Sequence, residues 1–324
     1  MRTLHVLNGD STRLTLERSD VPGVFTVWAD VLHDGPVPNV PASELRRIRA
    51  QYHEPYHRES VDEGSPDTDA WDAALDRYGD YDELVFWFEH DLFDQLILIR
   101  HLHWLSQISH GQTRFSLICI GEYPGRPRFA GLGELAPSEL ASLLPQRRPI
   151  TAEQIAIGAK AWDLFRGPDP TPLLEWMNHQ DLSILPFLKG ALHRHMDDFP
   201  ALLNGLSRSE IQILTAILAG HSTSADIFVA TQPMEERIFM GDWTFWSIVR
   251  RMAAAPSPLV TVTGDNPRMP FASATVEITS SGRDVLSGEQ DYIRLNGIDR
   301  WMGGVHLTTE HHWRWDRLRL IPNS

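Results

Sequence analysis

Four short runs in the first 120 residues are apolar nearly throughout: Leu4–Leu7, Val24–Trp28, Leu84–Phe88 and Phe115–Ile120. Runs of that length without polar alternation are the pattern of strands covered on both faces. Helical spacing fills the gaps, at Thr12–Arg18, from Ser43 to about His57, around Trp71–Tyr78 and over Leu92–Gln107. Strand and helix in alternation predict a parallel sheet with crossover helices. The polar stretch from Glu59 to Thr68, with Gly64 and Pro66, is expected to interrupt it as a loop. Residues 121–136, with Pro124, Gly125, Pro127, Gly131 and Gly133 among them, read as a long irregular connection. Beyond it the pattern is helical without strands. Helices are expected from Pro137, from Thr151 to before Gly167-Pro168, and over Asp181–Met196.

The last 120 residues change again. Ser207-Arg208-Ser209-Glu210 is a capping box ahead of Ile211–Ala219, a second helix falls within Ser224–Ala230, and a third spans Asp242–Ala255. Leu259–Val262 and Ala274–Ile278 then read as paired strands, and Gly304–Leu307 with Trp313–Asp316 as a closing hairpin. The expected class is therefore α/β. It combines a Rossmann-like parallel sheet in residues 1–135, a helical middle region in 136–204, and a winged-helix-like α+β domain with a C-terminal hairpin in 205–324. The phrase Val276-Glu277-Ile278-Thr279-x-x-Gly282-Arg283-x-Val285-Leu286 resembles the strand-to-helix junction after the wing in several bacterial regulator families.

Charge narrows the partners. The net charge is −14, yet the part from Leu206 onward holds 11 basic and 13 acidic residues, so most of the negative charge lies upstream. Between Arg58 and Asp94 there are 13 acids and two bases, which repels a phosphate backbone and disfavours nucleic acid as a partner. No run approaches the roughly eighteen uncharged apolar residues of a membrane span. The single cysteine, Cys119, sits in an apolar run and reads as inert packing. These features together predict a cytoplasmic protein, with a homo-oligomer left open.

Candidate chemistry collects where strands are expected to end. In open parallel sheets, ligands bind beyond the carboxyl ends of strands, near the place where strand order reverses. Asn8-Gly9-Asp10-Ser11 follows the first strand there. It fits a turn and helix cap, an anion-binding loop at a helix N-terminus, or a presented nucleophile, Ser11. Glu89-His90-Asp91 follows the third strand and leads into Asp94-Gln95. Asp91 and Asp94 suit a helix start, whereas a Glu89–His90 pair at a strand end suits proton transfer. Asp30 ends the second strand, ahead of the turn His33-Asp34-Gly35-Pro36. On a parallel sheet, Asp10, Asp30 and Glu89-His90 would converge on one edge. Carboxylates and histidine there could bind a divalent cation or share protons, and spacing does not separate the two.

Gly9-Asp10-Ser11 after a first strand resembles the nucleophile block of the SGNH hydrolases, although the Asp-x-x-His pair of that family is missing: Asp299 and His306 stand seven apart. A broader likeness rests on His5-Val6-Leu7-Asn8-Gly9-Asp10-Ser11, Trp28-x-Asp30-x-Leu32-x-Asp34-Gly35-Pro36, and Trp87-Phe88-Glu89-His90-Asp91-x-x-Asp94-Gln95. Over about residues 3–120 the chain resembles the bacterial domain-of-unknown-function family number eighteen thirty-five. That resemblance implies a polar or acidic residue near 94 followed by Gln95, and no reaction. The expected function is hydrolysis of an ester or phosphoester, with Ser11, Asp10, Glu89 and His90 catalytic and Asn8, Gly9, Asp30, Asp91, Asp94 and Gln95 binding a small or phosphate-bearing ligand. The alternatives are a ligand-sensing DNA-binding regulator and a protein-interaction module. Against DNA binding, Asp242–Arg251 offers only Arg250 and Arg251 as bases, beside aromatic Trp243 and Trp246 that look exposed.

Overall fold

The computed structural model describes residues 1–59, 68–264 and 274–323. The first part runs β1 (Thr3–Leu7), α1 (Asp10–Leu16), β2 (Val24–Val27), β3 (Gly35–Pro36), α2 (Ala42–Glu59), α3 (Thr68–Asp76), β4 (Glu83–Glu89), α4 (Leu92–Gln107), β5 (Arg114–Ile120), α5 (Pro137–Ala141) and β6 (Arg148–Pro149). The class is mixed α/β. Strand order in the main sheet is β2-β1-β4-β5-β6, parallel except for short β6. From β1 the chain steps to β2 on one side and returns to β4 on the other, so order reverses between β1 and β4. The expected strands and the α4 helix fall where the apolar runs put them. Most of the loop expected over Glu59–Thr68 lies outside the described residues.

Alternation along β4 explains how the sheet is buried on both sides. Leu84, Phe86 and Phe88 join one apolar cluster, with α4, Trp162, Phe165 and the rest of the molecule. Val85 and Trp87 join a second, with Leu16 of α1 and the 129–143 segment. Each large side chain removed from water contributes about 1.5–3 kcal/mol before entropy is counted.

Helices α6 (Ala152–Phe165), α7 (Thr171–His179) and α8 (Leu188–Met196) follow. The sequence reading placed one helix over Asp181–Met196. The structure starts it at Leu188, because Pro186 cannot donate an interior hydrogen bond, and residues 181–187 form turns. It also missed α7, which opens with Pro172 in its first turn. The next elements are α9 (Arg208–Leu218), α10 (Ser224–Thr231), α11 (Asp242–Ala254), and the antiparallel strands β7 (Val260–Thr263) and β8 (Thr275–Ile278). Ser207 and Glu210 cap α9 reciprocally, as their spacing requires. Trp243 is exposed as expected, but Trp246 is buried in the core.

Helices α12 (Ser280–Ser287) and α13 (Tyr292–Asn296) lead to β9 (Asp299–Gly303), β10 (Val305–Thr308), β11 (Trp313–Trp315) and β12 (Leu320–Pro322). The closing hairpin is therefore not the expected pairing. Strand β10 turns back on β9, and β11 pairs with β12. A tight Gly303-Gly304 link decides this: a Cβ on Gly304 would collide with the backbone of Arg166. Strand β9 also pairs in parallel with β3, joining Gly35 to Met302 and Pro36 to Gly303. One apolar cluster spans residues from all three sequence segments.

Candidate functional site

Where β1 and β4 end side by side, polar side chains form a closed knot. The Asn8 amide donates to Glu89 Oε1 at 3.0 Å and to both oxygens of Asp94 at 3.1 Å. Thr12 donates to Asn8 Oδ1, fixing the amide orientation. The Glu89 backbone N–H donates to Asp94 Oδ2, and the Leu132 N–H to Glu89 Oε1. Asp91 caps α4 by accepting the Asp94 N–H at 3.0 Å. Gln95 donates to the Glu89 carbonyl at 2.6 Å and reaches Cys119. Gly131 closes the knot from above. Its φ is +154°, and a Cβ there would lie 2.2 Å from Glu89 Oε2. The structure thus brings together Asn8, Glu89, Asp91, Asp94 and Gln95.

Burial sets the protonation of these acids. Glu89 is 6% exposed and Asp94 0%. Loss of solvent, then the neighbouring Asp91 charge, pushes Glu89 up to about 8. Burial pushes Asp91 up to about 6, and burial with the Glu89 and Asp91 charges holds Asp94 well above the carboxylate range. Near neutrality the knot therefore retains protons, and its carboxyls can act as held acids. Among the described residues, no group of three or more His, Cys, Asp or Glu side chains is placed to hold a metal ion.

Five expected site residues stand elsewhere. Asp10 is exposed and pairs with Arg13 at 2.8 Å, since the first helical turn turns it outward. Ser11 is exposed on α1; its Oγ faces Gly133, and no histidine or carboxylate bonds it among the described residues. Gly9 starts α1 in extended geometry with no side-chain cap. His90 turns from the carboxylates to pack against Phe129 and Phe187, and burial lowers it to about 4. Arg237, from the segment after α10, donates to the His90 carbonyl at 3.1 Å. No local pattern marks that arginine in advance.

Asp30 also leaves the expected edge. It turns to α2, where Arg49 pairs with it at 2.5 Å and His53 bonds it at 2.9 Å. It is buried, and Arg49 with His53 holds its carboxyl below the usual range despite desolvation. Asp30 and Arg49 belong to the wall of a second feature, a cavity of about 520 Å³. Trp28, Trp71, Trp104 and Trp162 also line it, with Arg46, Arg100 and Arg166. Asp72 is its polar centre: Arg46 bonds it at 2.9 Å, Trp28 Nε1 at 3.1 Å, and Arg100 also pairs with it. Arg100 lies 4.5 Å over the Trp28 ring. The sequence reading missed this site. Its faint signal was the i, i+3, i+7 row Arg46, Arg49 and His53 on one face of α2.

No family model and no curated protein matches the chain. Among solved structures, the Aeropyrum pernix ORC1 protein, determined in complex with DNA, is similar at 12% identity with a TM-score of 0.23. That alignment covers 89% of this chain and 85% of the other. At that score the likeness decides neither architecture nor function. No helix among the described residues is long and apolar enough to cross a membrane.

Proposed function

We propose that this chain is a ligand-sensing protein that takes a small organic molecule into the tryptophan–arginine cavity. The observation that carries this reading is the cavity itself. Its 520 Å³ lies within the roughly 300–1,000 Å³ of small-molecule sites, and aromatic walls with a few fixed polar groups are what such sites contain. A route for readout supports sensing. The wall residues Asn39 and Val40 continue directly from β3, and the Val37 N–H donates to the Gly303 carbonyl of β9 at 2.8 Å. Arg166 lines the cavity while its backbone abuts Gly304. In the C-terminal part, three helices followed by the β7–β8 pair support a winged-helix-like reading, and the order reversal between β1 and β4 supports a Rossmann-like one. A net charge of −2 from Leu206 onward favours a protein or intramolecular output over DNA.

The test uses Ala42, an exposed residue of the cavity wall. Ala42→Trp should fill the mouth and abolish ligand-induced thermal shifts across a panel of aromatic metabolites, at unchanged melting temperature. If no panel member shifts the wild type, the sensing reading fails.

A second reading, hydrolysis of an ester or phosphoester at the knot, is favoured by Glu89 holding a proton near neutrality. The knot would then supply a general acid. Loss of p-nitrophenyl ester or phosphate turnover in Glu89→Gln would support it, and absence of turnover in the wild type would remove it. The resemblance to family number eighteen thirty-five is likewise a proposal. It is supported by motif residues Asn8, Asp30, Glu89, Asp94 and Gln95, each of which holds a defined contact.

A further inference from the structure

We infer that the cavity takes a planar aromatic ring bearing an anionic group, the chemical class of mononucleotides and aryl phosphates; this rests on the small-molecule reading above. Two observations meet here. The first is uncompensated positive charge. Four guanidinium groups line the cavity against three carboxylates: Asp30, Asp72 and Asp163. Asp30 is committed to Arg49, and Asp72 is shared between Arg46 and Arg100. Asp163 is 53% exposed and approaches His103 at 3.4 Å. Arg166 makes no ion pair among the described residues. Its Nε and Nη2 donate to the Pro38 and Val40 carbonyls, which leaves Nη1 without a bond among the described residues. Its other partners are the Trp162 ring, 5.4 Å from the guanidinium carbon, and the charge of Asp163, which makes no direct ion pair with it. A buried guanidinium bonded directly to neutral carbonyls alone lacks a contacting counter-charge, and an anion is the partner that would supply one. Burial also holds Arg100 and Arg166 below their ordinary range.

The second observation is aromatic surface beside that charge. Trp71 and Trp104 are only half-buried on the cavity wall. Trp28, by contrast, is covered by Arg100 and tilts against Trp71 at 5.6 Å. A planar ring can stack on such surface whatever its substituents. One uncompensated cation suits a single anionic group. It does not suit a nucleic-acid strand, whose binding needs many phosphate contacts.

The experiment titrates wild type with adenosine 5′-monophosphate, adenosine and inorganic phosphate, reading tryptophan quenching and calorimetry. The monophosphate should bind about tenfold tighter than adenosine, the scale of one modest charge contact. Arg166→Gln should lose that advantage and Arg166→Lys should retain it. Because Arg166 also bonds the backbone, Ala42→Asp provides a variant that does not touch the fold. It places a carboxylate in the wall, on the first turn of α2 where an acid is tolerated. It should weaken the monophosphate about tenfold and leave adenosine unchanged. Equal affinity for adenosine and its monophosphate, or no effect of Ala42→Asp, overturns the anionic class while the cavity reading stands. Phosphate alone binding as tightly as the monophosphate overturns the ring. Failure of both adenosine and its monophosphate to quench overturns this inference. If the aromatic panel also leaves the wild-type melting point unmoved, the cavity reading falls too.

Discussion

Glu89→Gln is expected to stabilise this protein in mild alkali, against the usual result of altering a buried hydrogen-bonded carboxylate. Glu89 titrates near 4.5 when unfolded and is pushed up to about 8 in the native knot. The native state therefore binds the extra proton, so stability is fully present below the unfolded value and is lost as pH rises through the window from about 4.5 to 8. At about 1.4 kcal/mol per unit, the full shift corresponds to roughly 5 kcal/mol. Because Asp91 and Asp94 share the titration, about 2–4 kcal/mol of it should appear on removing Glu89 alone. The glutamine oxygen can still accept from Asn8 and from the Leu132 N–H. Urea unfolding of wild type and variant, followed by tryptophan fluorescence at several pH values from about 5 to 8.5, measures the difference. The two should be close at the acid end, with the variant ahead at the alkaline end. A variant equally destabilised at every pH would refute the protonated knot.

Gly131→Ala should cost about 3 kcal/mol or more, since its Cβ would meet the Glu89 carboxyl and its φ suits only glycine; the urea midpoint reports it. Asp30→Asn leaves Arg49 buried without its counter-charge and should cost about 3–5 kcal/mol at neutral pH by calorimetry. The Asp30 carboxyl is lowered in the fold, so its contribution is present above about pH 4 and fades as the medium becomes more acid. Ser11→Ala should stay within about 0.5 kcal/mol of wild type and leave any p-nitrophenyl acetate turnover unchanged.

Most of the sheet was legible because its signal is local. A short run apolar throughout, as in Leu84–Phe88, has few alternatives to a doubly covered strand, and Asp91 with Asp94 announces the start of α4. The knot was half legible for the same reason: strand ends must deliver Asn8 and Glu89 to neighbouring points once β1 and β4 pair. The direction a side chain takes after its strand ends is not local. Asp30 leaves the expected edge because Arg49, nineteen residues on, offers a buried counter-charge. The cavity was nearly illegible: the Arg46–Arg49–His53 row marks one face of α2, but nothing local signals that Arg46, Arg100 and Trp162 will face one another. The hairpin was mispaired because alternation identifies a strand without identifying its neighbour.

The β3–β9 pairing has a consequence for how this polypeptide is made. Two residues near position 35 wait for partners about 265 positions further along, which the ribosome delivers much later. Until then the wall that continues from β3 lacks its backing, and the nascent N-terminal part has an open margin. Closure over so long a span is slow, and unsealed intermediates invite wrong associations. Fragments ending before residue 299 should for this reason be poor mimics of the whole, however complete their own sheet.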